Sequence, residues 1–482
     1  VDPEQFETLV SATQGNTPFS TVGRFDDGTT RLTNPQAGLA RDRLTGEPFS
    51  YEMPPAPTVL SVSTATEMTE LYWMACLRDV PFTDFETSPV INDAAKELDT
   101  FFRKAVKDTS DPGHLMPGVD LPGSSKTLSK ITSQNIFRMG LPGEEIGPLV
   151  SQFFVRDVQF GVQKIDQRLQ PYKSEADYLT DFKSWLDAQN TGKGIDGDAY
   201  PHANEASATY YVNDGKLSRH IGTMRDLARF VNKDALHQAY FNGALLLLSG
   251  GAKWNQGNPY GDNPPPAFGN REAGFGTLGG PHILALVSEV ATRAQKVVWF
   301  QKWQAHLRLR PEAYGGLVHV QSIRIGPKKA KRDYGLPSWL DNTDAAKAIK
   351  KRHKGLLLPM AFTPGSPTHP AYGAGHATVA GACVTILKAY FKTLTYDKNG
   401  KLVPILLNTL VDRTEPFGPG QPFEAVITGK DKNEKEMRKR LPSEIADSLT
   451  IEGELNKLAS NVAMGRSMGG VHWRSDNTRS LI

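Results

Sequence analysis

The chain has 482 residues, 55 basic against 52 acidic, and a net charge of +3. Such a near balance gives no global attraction to nucleic acid or to an anionic membrane surface, so any anion binding must be local. The length allows one large or two ordinary domains, and two cysteines, Cys76 and Cys383, exclude a disulfide framework.

The first ~50 residues are rich in Gly, Pro, Thr and Asp without periodicity, which predicts an arm wrapping a surface. Helical spacing then dominates. Asp93 to Lys107, Ser174 to Gln189, Leu217 to Val231 and Asp234 to Leu248 carry apolar residues three and four apart, several opened by Ser or Asp as an N-cap. A Pro, Gly and Asn-rich loop from Gly250 to Gly280 is the best internal boundary, dividing 1–275 from 276–482 within one compact unit. Inside that loop Gly274-Phe-Gly276-Thr-Leu-Gly279 spells a dinucleotide fingerprint. No strand precedes it and no ribose-binding acid follows, so backbone turns explain it better.

A long helix is predicted from Pro281 through Gln304-Ala-His306-Leu, ended by Pro311, with Arg310 at its terminus. On an ideal helix Lys302 and Arg310 would sit about 80° apart and about 12 Å along the axis, close enough for long side chains to converge. The basic stretches Lys328 to Arg332, Lys347 to Lys354 and Lys430 to Arg440 lack interleaved aromatics and read as solvated faces. Tyr396-Asp-Lys-Asn-Gly-Lys401 reads as a hairpin turn, the single clear β signal. Cys383 falls on the apolar stripe of a helix beginning near Gly375-His376, and both thiols are expected to be free and buried. The longest apolar runs, Gly243 to Ser249 and Gly355 to Phe362, are far short of the ~18 residues of a membrane span.

Three stretches carry chemistry: Lys302 to Pro311, His369 to His376, and Arg466 to Asp476. Together they offer three fixed cations, a glycine amide and imidazole at a helix start, where free N–H groups attract anions, and a histidine with Asp476 four residues on to orient its ring. The arrangement describes a pocket for a tetrahedral oxyanion, phosphate or vanadate.

Lys302 with seven residues to Arg310-Pro311, Ala374-Gly375-His376, and Gly465-Arg466 with five residues to His472 and three to Asp476 resemble the vanadium-dependent haloperoxidases. That superfamily is shared with type 2 phosphatidic acid phosphatases and bacterial acid phosphatases. The phrase from His369 to Ala382 and the seven-residue spacing are similar to bromoperoxidases of red algae and cyanobacteria. The resemblance covers roughly residues 295 to 480 and implies a mainly α fold of helical bundles with a few short β-hairpins. It implies vanadate as cofactor, with His472 as the vanadium ligand and Lys302, Arg310, Arg466 and the Gly375 amide around its oxygens. His376 would be the acid and base, Lys302 would polarise peroxide, and His369 would tune halide oxidation toward bromide. The implied reaction oxidises bromide or iodide with hydrogen peroxide to hypohalous acid, which halogenates small organic acceptors. A phosphatase acting through a phosphohistidine at His472 is the rival.

The resemblance implies a large homo-oligomer of dimers, often six of them, and, as in the algal members, a structural divalent cation. Trp254, Gln256 and Asp262 offer oxygens for such an ion. Ala374 departs from the family's Ser-Gly-His, removing one hydroxyl. Val1 is not an initiator methionine, so a leader removed or outside the numbering is expected, as is further chain after Ile482. Localisation stays open for a soluble protein, with periplasm, cell wall and exterior as the options.

Overall fold

The computed structural model describes residues 3–22, 30–40, 46–124, 127–261, 272–325, 330–331, 333–412 and 420–482. Helices dominate: α1 Pro3–Thr13, α2 Val62–Leu77, α3 Pro89–Lys107, α4 Phe182–Thr191, α5 Met224–Lys233, α6 Gln238–Ser249 and α7 Gly280–Phe300. They continue with α8 Pro311–Ser322, α9 Asp344–His353, α10 Gly375–Tyr390, α11 Ser443–Ala446, α12 Ile451–Met468 and α13 Arg474–Leu481. The centre is α10, which packs against α7, α12 and α13, while α5 lies on α12 and α2 joins α3 and α9. One apolar core runs from Ala65 on α2 to Trp473 before α13, crossing residue 275 without a break.

Local chemistry sets several helix starts. Ser61, Thr223, Thr343 and Thr450 each accept a backbone N–H two or three residues into the helix they cap, meeting donors that would otherwise be orphaned. From Ile451 to Met468, α12 is buried all round apart from the half-buried Glu452, so it is the inner rod of the bundle. Among the described residues no helix is long and apolar enough to cross a membrane.

Several boundaries differ from the sequence expectations. The helix expected from Ser174 begins only at Phe182, capped by Asp181. Before it, Glu175 and Leu179 adopt positive φ, and Tyr178 exchanges two backbone hydrogen bonds with Met360. Long-range pairing there outweighs apolar spacing. Helix α5 starts at Met224 instead of Leu217, and α6 at Gln238 instead of Asp234. The N-terminal arm contains a full helix, α1, and its Gln304 partner on the far side of the chain donates to the Thr13 carbonyl.

The expected hairpin is present as β7 and β8, but it has company. In chain order the short strands are β1 Gly123–Ser124, β2 Thr127–Leu128, β3 Val158–Phe160, β4 Gln163–Ile165, β5 Arg324–Ile325 and β6 Ala330–Lys331. They continue as β7 Leu394–Tyr396, β8 Leu402–Pro404, β9 Val411–Asp412, β10 Gln421–Pro422, β11 Val426–Lys430 and β12 Glu436–Arg440. Each successive pair forms a two-stranded antiparallel sheet. The Lys430 to Arg440 stretch is therefore a hairpin arm rather than a plain solvated face, and Lys430 is buried between Ser174 and Glu434. Lys347 to Lys354 ends α9 as expected, largely exposed on its basic side. Much of Lys328 to Arg332 lies outside the described residues. Both cysteines are free, Cys383 buried and Cys76 half-buried.

Candidate functional site

The single long helix expected to carry Lys302 toward Arg310 does not exist in that form. After α7 the chain widens into a π turn over Gln301–His306, Leu307 takes a left-handed conformation, and Arg310 is the N-cap of the next helix, α8. Pro311 thus begins a helix, a favoured first-turn position. Convergence is achieved by a corner instead of by spacing along one rod.

Lys302 is fully buried, and its Nζ donates to the carbonyls of Pro370 at 2.9 Å and Ala371 at 3.2 Å. Arg310 donates from Nε to the His369 carbonyl at 2.9 Å and from Nη1 to the Val471 carbonyl at 2.5 Å. Its Nη1 also meets His472 Nε2 at 3.1 Å, and its Nη2 meets His369 Nδ1 at 2.9 Å. A guanidinium only donates, so both of those ring nitrogens accept. The other His472 nitrogen, Nδ1, is 2.9 Å from Asp476 Oδ2. Asp476 is fixed in turn by Arg308 and by the Trp473 amide. His472 is therefore held as the tautomer protonated at Nδ1, with the Nε2 lone pair turned into the pocket.

Arg466, in the last turn of α12, donates from Nη1 to the Val231 carbonyl at 2.8 Å, while its buried Nε has no partner. Gly375 is the first residue of α10, where amides lack intrahelical acceptors. A Cβ there would come 3.1 Å from Gln295 Oε1, so the tight seat favours glycine. His376 follows, its Nε2 3.0 Å from Asp234 Oδ1. Ala374 is the N-cap of α10 and supplies no side-chain cap, although its own amide donates to Ser480 Oγ at 2.8 Å. His369 packs its ring on Trp299 at 4.9 Å between centroids.

Burial sets the electrostatics. It pushes Lys302 well below the usual lysine range, with the Arg310 charge adding to the effect. Arg310 falls to about 10, chiefly by burial and partly against Arg466. Burial, then the neighbouring cations, hold His472 and His369 well below the usual histidine range, so both are neutral. Among the described residues neither Lys302, Arg310 nor Arg466 is ion-paired to a carboxylate. A dry cluster of cations facing only carbonyls and a lone pair is complementary to an anion.

A model of the second helical-bundle domain of the VCPO family matches residues 328–482. Three vanadium-dependent bromoperoxidases align over most of the chain. That of Corallina pilulifera is 33% identical, covering 93% of this chain and 73% of its own length. That of Corallina officinalis is 32% identical over the same shares. The one from Ascophyllum nodosum is 33% identical, covering 97% of this chain and 73% of the relative. The chain belongs to the vanadium-dependent bromoperoxidase family. Among solved structures, the homohexameric second vanadate-dependent bromoperoxidase of Ascophyllum nodosum superposes with a TM-score of 0.72 at 28% identity, covering 100% of this chain and 74% of that one.

Within this bromoperoxidase fold Lys302, Arg310, Arg466, His472 and His369 lie close enough to act on one another's charge, and Gly375 opens α10 beside Trp299, the ring on which His369 packs. Sequence reasoning missed three contributors from the N-terminal half. Asp234 pairs with His376; reading it as a helix N-cap gave it a structural role instead. Tyr200 is half-buried beside Arg466 and Phe362, its hydroxyl out of solvent and raised to about 12 by burial, the Arg466 charge opposing the rise. That hydroxyl meets no partner in hydrogen-bond geometry. Glu67 on α2 accepts from Ser475 and Arg308, and so supports Asp476 from behind.

Gly274 to Gly279 forms a turn, as expected, with Phe275 and Leu278 bridged. In the neighbouring loop Trp254 stacks on Phe391 at 5.2 Å, and the Asn255 and Asn258 side-chain oxygens accept amides of their own turn. Asp262, the carboxylate expected there, lies outside the described residues.

Proposed function

We propose that this pocket holds orthovanadate and that the chain oxidises bromide, and iodide, with hydrogen peroxide to hypohalous acid that halogenates organic acceptors. The observation that carries the reading is the buried group of Lys302, Arg310 and Arg466 around the neutral Nε2 of His472, none of them ion-paired to a carboxylate among the described residues. The donors fit a tetrahedral oxyanion. Arg466 Nε is buried with no partner, Lys302 has three N–H donors for two carbonyls, and Gly375 brings an amide at a helix start.

His472 Nε2 is the ligand to vanadium, kept basic toward the metal because Asp476 holds the Nδ1 proton. Lys302, Arg310, Arg466 and the Gly375 amide bind the oxygens. When bound, vanadate supplies Lewis-acid activation of peroxide without a change of oxidation state. Lys302 Nζ polarises the peroxide oxygen nearest it. His376 would accept and return the peroxide proton at Nδ1, the ring nitrogen that Asp234 leaves free, with Asp234 on Nε2 stabilising the imidazolium while it lasts. His369 orients Arg310 through its Nδ1, and its place beside these cations is the feature that the family resemblance associates with bromide as the donor.

Reconstitution with orthovanadate should give bromination of a phenolic dye by peroxide, and the vanadate-free protein should not hydrolyse an aryl phosphate. Phosphate hydrolysis without bromination would overturn this in favour of phosphohistidine chemistry at His472.

Three further elements belong to the reading. We extend the reading to a structural calcium ion held by Trp254, Gln256 and Asp262, on the hard oxygens that these residue types offer in the sequence. The protein assembles as a homo-oligomer of dimers, up to a dodecamer; the Ascophyllum nodosum structure is a homohexamer, and light scattering of the eluted species decides between the two masses. Residues 276–482 form the catalytic bundle, with 1–275 lending Asp234 and Tyr200.

A further inference from the structure

The hairpin β3–β4 ends its pairing at Val158 opposite Ile165, which leaves Asp157 and Asp166 flanking its open end. Two carboxylates facing each other across strands repel. A third group joins them: one oxygen of each and a ring nitrogen of His220 lie within 4.8 Å of one another. His220 is 8% exposed, and its Nδ1 is held by Glu436 Oε1 at 3.1 Å while its backbone amide donates to Glu436 Oε2 at 3.1 Å. The nitrogen left for a ligand is Nε2, which is buried with no hydrogen-bond partner among the described residues. Asp157 Oδ1 is likewise buried and unpartnered. A buried imidazole left unsatisfied, with a carboxylate steering its other nitrogen, is the arrangement metal-ligating histidines adopt.

We infer that Asp157, Asp166 and His220 bind a zinc ion, distinct from the vanadate pocket. One imidazole nitrogen with two carboxylate oxygens suits zinc, the fourth position going to water on the exposed side of Asp166. Calcium and magnesium take oxygen ligands, calcium six to eight of them, which this set does not provide. Glu436 opens β12, so the ion would tie the β3–β4 hairpin to residues 219–222 and to the β11–β12 hairpin. Two cations hold these carboxylates: Lys164 reaches Asp157 Oδ2 at 2.8 Å, leaving Oδ1, and Arg168 spans both oxygens of Asp166, 2.9 Å from Oδ1 and 2.6 Å from Oδ2. Both side chains are nearly half exposed and can swing into solvent.

The test is calorimetric titration of zinc chloride into chelator-stripped, vanadate-loaded protein, with cobalt absorption bands reporting a tetrahedral nitrogen and oxygen site. One zinc per chain is expected. Asp166→Asn should weaken it at least about tenfold, His220→Gln should abolish it, and Lys164→Gln with Arg168→Gln should tighten it. Bromide oxidation should not change in any of these. Equal zinc binding by wild type and Asp166→Asn overturns the site, as does no zinc binding by wild type. If His220→Gln fails to fold, the exposed Asp166→Asn and the Lys164→Gln, Arg168→Gln pair decide alone. Failure of bromination with zinc still bound would strike the vanadate reading and leave this one standing.

Discussion

Two sets of buried cations stand within a few residues of each other and behave in opposite ways. Arg308 is paired with Glu67 and Asp476, Arg474 with Glu70, and Arg479 with Asp120. Burial alone would lower all three, yet these carboxylates raise each above the usual arginine range. Arg310 and Lys302, as deeply buried, have only carbonyls and imidazoles as direct partners and are lowered. The first set is satisfied by the fold and the second is left for a ligand. Composition cannot separate them, since both are basic side chains in the same helical half; what they touch does.

The contrast can be broken most strongly at Arg474. Arg474→Ala strands Glu70 in the core and should cost about 3 to 5 kcal/mol, read from the urea unfolding midpoint of vanadate-free protein. Lys302→Met should leave that midpoint unchanged or higher, because it removes a desolvated charge with no anion, while vanadate affinity drops by about 2 to 5 kcal/mol in a titration. If the two substitutions were equally destabilising, the division into structural and reserved cations would be wrong.

Smaller effects sharpen it. Ala374→Ser restores a hydroxyl at the start of α10 and should tighten vanadate by about 1.5 to 3 kcal/mol. It would also cap α10, worth about 1 kcal/mol of folding stability. Stabilisation without tighter vanadate would assign the hydroxyl to the helix and not to the pocket. Asp234→Asn should lower kcat about tenfold, or about 1.4 kcal/mol, with vanadate affinity nearly constant. An unchanged kcat would reduce Asp234 to packing.

The smallest signal is the pH dependence of the vanadate-free protein. Unfolded lysine keeps its proton up to about 10.4, whereas folded Lys302 releases it well below that. Between the two values the unfolded state binds more protons, so stability rises with pH there. His369 and His472 act likewise lower down: stability falls as pH drops below about 6.5, where the unfolded rings charge and the folded ones resist. Chemical unfolding across pH should show both slopes, and Lys302→Met should remove the alkaline one.

What could be read from sequence follows from where each piece of information is stored. Lys302, Arg310, Gly375, His376, Arg466, His472 and Asp476 announce themselves because their chemistry resides in side-chain type and their order is rigid. Asp234 and Tyr200 lie far away in the chain and carry no local signature; only the packing of α5 against α12 brings residues 231–234 to the pocket. The hairpins escaped because strands of two to five residues are too short to show alternation. The Ser174 to Gln189 segment misled because its apolar spacing was overruled by the Tyr178 pairing with Met360.

The turn at Gln301–His306 closes five residues back, with the Leu307 amide on the Lys302 carbonyl at 3.1 Å, so it holds one residue more than an α turn. In the superfamily the gap between the lysine and the arginine is six or seven residues, and here it is seven. A widened turn swallows the odd residue without rotating what lies on either side. The spacing of this motif is thus a length tolerance built into the backbone, and deleting Gln304 or Ala305 is the kind of change the pocket could survive.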